Sequence, residues 1–148
     1  MPHWYEHNGL RFAYPENWQI EEIDVVGQPL DITLQTPGGG LWSLQSIPGG
    51  MSPGEAAAQA LKGVEAEFQE VENESAQLEL VEQLWLGFEI RFFCFDYLIE
   101  GRVWACRIPG RTLVCVYQAE QAEFEKQEPV FQAVMASLFT SASQEETT

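Results

Sequence analysis

The sequence predicts an α+β fold: a single domain in which an antiparallel twisted sheet of about six to eight strands carries two main helices packed on it. Three observations lead there. Short alternating segments cut by Pro and Gly turns fill residues 10–47. The stretch Leu84 to Gln118 is apolar at nearly every second position on both registers, as a sheet covered on both faces requires. Two helical stripes follow Ser52 and Pro129. At 148 residues the chain is long enough to bury one core. That core is expected within residues 1–139, with a mobile polar tail over 140–148.

Leu10, Phe12 and Tyr14 alternate with Arg11 and Ala13 after Asn8-Gly9, giving a half-buried strand that ends at Pro15. A second strand is expected from Gln19 to Val26, a third over Leu30, Ile32 and Leu34, and a fourth from Leu41 to Ile47. Ser52, Pro53 and Glu55 then form the cap, first position and capping-box acid of a helix running to about Phe68. Its packed stripe is Ala57, Leu61, Val64 and Phe68. Val71, Ala76, Leu78 and Leu80 have strand spacing within a glutamate-rich run.

Leu84 to Gln118 supplies three strands. Glu100-Gly101 is read as a two-residue hairpin loop, which sets Ile99 opposite Arg102, Tyr97 opposite Trp104, Phe95 opposite Cys106 and Phe93 opposite Ile108. Pro109-Gly110 turns the next hairpin and sets Trp104 against Cys115 and Cys106 against Leu113. One face then gathers Phe93, Phe95, Tyr97, Trp104, Cys106, Ile108, Leu113 and Tyr117. The other gathers Phe88, Ile90, Phe92, Cys94, Leu98, Val103, Ala105, Val114 and Val116. The last helix presents Phe131, Val134, Met135 and Leu138, with Phe124 on an entry turn and Pro129 starting the main helix.

Charge and motifs exclude more than they assign. Seven Lys and Arg against 23 Asp and Glu give a net charge of -16, which repels nucleic acid and anionic lipid, so neither is an expected partner. The N-terminal MPHWYEHNG has neither a basic leader nor an apolar signal region, and the chain reads as cytoplasmic. Cys94, Cys106 and Cys115 sit in apolar strand pattern and read as small core residues.

His3 to His7 spells H-x-x-E-H, but Asn8-Gly9 breaks it at once. A zinc protease needs that motif on a rigid helix, so no metal is expected. The glycines at 38–40 and 49–50 are turn glycines. A phosphate loop would follow its second glycine with Lys, where this helix opens with Ser52, Pro53 and Glu55. No nucleophile has a base in context, and no cofactor or enzymatic activity is expected.

Two stretches carry a resemblance: GLRFAYPENW at residues 9–18 and EKQEPVFQAVMASLF at residues 125–139. Together they resemble the PsbP-like fold group that includes the Ran-release factors, most closely its bacterial DcrB-like branch. Phe12, Pro15, Trp18, Glu128-Pro129, Met135 and Leu138 are similar to the Eag-type chaperones of type VI secretion effectors within that branch. The resemblance implies a PsbP-like α/β/α domain. It also implies a chaperone that shields apolar effector segments on its sheet without catalysis.

The expected function is therefore a non-catalytic, chaperone-like protein-binding domain. Its candidate surface for a client segment or a second copy, as a homodimer, is Phe93, Phe95, Tyr97, Trp104, Ile108, Leu113 and Tyr117. If the last helix covers that surface, it is core instead. Arg91, Arg102, Arg107 and Arg111 lie on the same strands and either pair with neighbouring acids or, as Arg91, Arg102 and Arg111, rim the groove. The alternative function is an acidic assembly factor that docks on a basic protein through the eight glutamates between Glu55 and Glu82.

Overall fold

The computed structural model describes the backbone of residues 2–147 and the side chains of residues 2–139; the tail expected over 140–148 lies outside the described side chains. Nine strands and two helices follow one another along the described chain. Strands β1 (Pro2–His7) and β2 (Leu10–Pro15) form a small hairpin. The main sheet comprises β3 (Gln19–Ile23), β4 (Leu30–Gln35), β5 (Leu41–Pro48), β6 (Glu72–Leu80), β7 (Gln83–Cys94), β8 (Tyr97–Ile108) and β9 (Arg111–Glu120). Its order is β3-β4-β5-β9-β8-β7-β6, antiparallel throughout. Helices α1 (Pro53–Glu67) and α2 (Gln121–Thr147) cover opposite faces.

Helix α1 starts as its sequence requires. The Ser52 hydroxyl accepts the Glu55 amide at 3.2 Å, Pro53 opens the helix, and Phe68 ends it in extended backbone. Ala57, Leu61, Val64 and Phe68 face the sheet against Ile90, Phe92, Val103, Ala105 and Val114. Helix α2 and the β1–β2 hairpin close the other face over Trp42, Trp85, Trp104, Leu113 and Tyr117. The Ser137 hydroxyl ties α2 to β2 by accepting the Ala13 amide at 2.8 Å.

Four expectations are corrected. Strand β1 was not anticipated, because its inward positions are His3, Tyr5 and His7 and of these only Tyr5 is buried. Strand β3 stops at Ile23, short of Val26, and is exposed along its length. Pro129 lies inside α2 and does not start it, so the Glu125 carbonyl loses its helical donor.

The largest correction concerns β8. Glu100-Gly101 is not a turn; it lies mid-strand, with Glu100 opposite Arg91 and Gly101 opposite Ile90. The turn is Phe95-Asp96, so Trp104 faces Gly87, not Tyr97. Gly101 serves close packing: a Cβ there would lie 3.0 Å from the Tyr117 carbonyl oxygen and 3.1 Å from Ile90. The second hairpin keeps the expected register, with Trp104 opposite Cys115 and Cys106 opposite Leu113.

Candidate functional site

The shifted register divides the candidate surface. Trp104, Leu113 and Tyr117 are buried beneath α2, and Ile108 packs partly against the same core. Trp104 donates its indole N–H to the Tyr117 hydroxyl at 3.1 Å, while Phe124 and Phe131 stack on the Tyr117 ring. These residues meet a client only if α2 leaves. Phe93, Phe95 and Tyr97 lie instead at the uncovered β7–β8 turn, 65%, 92% and 64% exposed.

The turn that presents them is strained. Phe95 adopts φ of 56°, a left-handed conformation that glycine and asparagine tolerate and that costs a bulky side chain on the order of 1–3 kcal/mol. Beside it, a groove of about 520 Å³ runs between the segment after α1 and the end of β7. Its lining includes Glu70, Val71, Glu72, Arg91, Phe93 and Leu98. Glu70, at φ of 51°, is a second strained residue on this groove. The floor is apolar, and one wall is acidic.

The rim arginines do not share one edge. Arg91 lines the groove, where its Nε donates to Glu100 at 2.6 Å and that carboxylate raises the guanidinium pKa. Arg102 is half-buried beside α2, donates to the other Glu100 oxygen at 2.5 Å, approaches Glu128 at 3.5 Å and Glu89 at 3.8 Å, and lies over the Phe124 ring. Arg111 reaches Ser46 at 3.3 Å, at the far end of the sheet from Tyr97. Tyr97 and Ile108 are the two ends of the 12-residue β8, ~35 Å apart at strand spacing. Arg107 binds Gly49 and Thr112, holding the loop that leads into α1. Glu100, which the sequence reading placed in a turn, is thus the buried carboxylate that organises two of these arginines.

Cys106 and Cys115 are buried, and burial pushes the Cys106 thiol up to about 12 and Cys115 well above its usual value. Both stay protonated and unreactive at neutral pH. Cys94 is half-buried, and all three cysteines are free. Ser52 is occupied as a helix cap.

The H-x-x-E-H segment lies on β1, where strand alternation sends Glu6 to the face opposite His3 and His7. Glu6 meets Arg11 at 3.7 Å. His7 instead reaches Asp24 at 2.8 Å and Glu22 at 3.8 Å. Below them Tyr5 is buried with its hydroxyl unbonded; burial first, then the Glu22 and Asp24 carboxylates, hold that phenol well above its usual range. No helix among the described residues is long and apolar enough to cross a membrane.

No family model matches the sequence, and no curated protein matches it. Solved structures do resemble the fold. The cyanobacterial PsbP protein CyanoP from Synechocystis superposes with a TM-score of 0.68 at 13% identity, over 92% of this chain and 90% of that one. PA94 from Pseudomonas aeruginosa, a protein of unknown function described as a putative regulator, gives 0.54 at 12% identity over 93% and 95%. A Bacteroides thetaiotaomicron protein gives 0.59 at 14% identity over 90% of this chain and 46% of that one. At such identities the likeness establishes a PsbP-like fold: one α+β domain with an antiparallel sheet between helices.

Proposed function

We propose that this chain is a non-catalytic protein-binding domain that holds an apolar segment of a client at the β7–β8 turn and its adjoining groove. The observation that carries the reading is Phe95, a large aromatic side chain kept 92% exposed on a left-handed backbone between exposed Phe93 and Tyr97. Folding alone favours glycine or asparagine at that position. Burying a large apolar side chain contributes about 1.5–3 kcal/mol, so the three aromatics and the apolar floor of the groove together favour an apolar helix over water. Arg91 stands at the groove edge to meet a polar or acidic flank of the client.

The finer resemblance, to the DcrB-like branch and its Eag-type effector chaperones, adds the class of client: the apolar segment of a secreted effector. A second copy of the chain is the competing occupant, as a homodimer. Co-expression with apolar effector N-termini encoded nearby tests the reading. A one-to-one complex lost on replacing Phe93, Phe95 and Tyr97 by Ser supports it. A monomeric protein that binds none of those segments contradicts it.

The acidic-docking reading keeps one observation in its favour. Strand β6 is a sheet edge with Glu72 and Glu74 exposed, so a basic partner would find carboxylates there. Salt separates the two readings, because charge pairing weakens with ionic strength and apolar burial does not.

A further inference from the structure

The cluster at the end of β1 has the chemistry of a metal site. His7 closes the β1–β2 hairpin strand, Glu22 belongs to edge strand β3, and Asp24 follows it. One ligand atom from each lies within 4.8 Å of the others. Zinc bonds of about 2.0–2.1 Å place neighbouring ligands of a tetrahedral site about 3.3–3.4 Å apart. The His7 Nε2 separations, 2.8 Å to Asp24 and 3.8 Å to Glu22, bracket that spacing, and the side chains are exposed enough to adjust.

A His7–Asp24 ion pair accounts for the shorter distance and leaves Glu22 as a second carboxylate on the same imidazole. The Tyr5 hydroxyl lies beneath this pair, beside the Glu22 carboxylate but short of a well-formed hydrogen bond. The tyrosine is only 8% exposed, and its ring packs edge-on to His7 at 6.4 Å between centroids. A buried phenol aimed at a ligating carboxylate is the outer group that orients a metal ligand, and water on an ion offers a further partner.

We propose that His7, Glu22 and Asp24 bind a divalent cation of the zinc class, with Tyr5 supporting Glu22 from beneath. One imidazole and two carboxylates form a nitrogen and oxygen donor set that suits Zn²⁺ over Mg²⁺ or Ca²⁺, which prefer all-oxygen shells. The ion clips the two-stranded hairpin to the edge of the main sheet, joining segments 15 residues or more apart in sequence.

The test uses the full-length chain with Cys94→Ser, stripped with a chelator and titrated with Zn²⁺ by calorimetry, with Co²⁺ absorption as a second readout. The expected result is saturation at one equivalent, a Co²⁺ spectrum of low coordination number, and a loss of about tenfold or more in affinity in His7→Gln and in the Glu22→Gln, Asp24→Asn double variant. His3→Gln should bind as the parent does. Absence of saturable binding overturns the proposal, as does equal affinity in His7→Gln, which would place the ion elsewhere on the acidic surface.

Discussion

Phe95 shows how a single residue can be chosen against the stability of its own turn. Its side chain makes little contact, so replacing it removes strain and almost no packing. Phe95→Asn is expected to raise stability by about 1 kcal/mol, read as a higher urea midpoint at unchanged slope, while weakening client binding. Glu100 has the opposite character. Its carboxylate is buried between Arg91 and Arg102, and Glu100→Gln leaves Arg102 under-compensated beneath α2, at a cost of about 3 kcal/mol. Asp31 gives a pH-dependent case. Burial, and then the charge of Glu21, raise its pKa in the fold. Below the unfolded value both states are protonated and the residue costs nothing; as pH rises through the raised folded value, ionisation in the fold removes stability. Asp31→Asn should therefore stabilise at pH 7 and lose that advantage by about pH 3, seen in melts at the two values. None of these roles was legible in the sequence. Glu100 beside a glycine has the signature of a turn, and only the partners across the strands show that it is buried.

At the scale of elements the sequence was legible wherever local chemistry decides. Ser52, Pro53 and Glu55 define the start of α1 by hydrogen bonds within one turn, and Ser52→Ala should cost about 1 kcal/mol in thermal or urea unfolding. Pro109-Gly110 set the β8–β9 register because Gly110, at φ of 81°, supplies the left-handed turn residue that the sequence announces. The β7–β8 register was misread for the complementary reason. Phe95-Asp96 lacks turn chemistry, whereas Glu100-Gly101 has it, and the glycine is needed there for close approach to β9. Strand β1 was missed because two histidines stand where apolar residues usually mark a strand. Pro129 mimics a helix start although α2 begins eight residues earlier.

The whole molecule follows from two apolar faces that both need cover, and that much was read from Leu84–Gln118 before any register was fixed. What the sequence does not show is which aromatics escape cover, because that depends on a two-residue choice of turn that moves Trp104 under α2 and leaves Phe93, Phe95 and Tyr97 outside. The charge of -16 also acts at this scale. Shortening the Debye length from about 30 to 8 Å should damp self-repulsion and raise the melting temperature by roughly 2–4 °C, and an unchanged or lower value would contradict that. The proposed function rests on the β7–β8 turn as an apolar binding surface. The most direct measurement is the affinity of the full-length protein for a fluorescent apolar helical peptide in low and high salt, beside the variant with Ser at 93, 95 and 97. Binding that persists in high salt and is lost in the variant, with its melting temperature no lower than the parent's, is the predicted result. Binding that the variant retains and salt abolishes would contradict it and place the partner on the acidic edge.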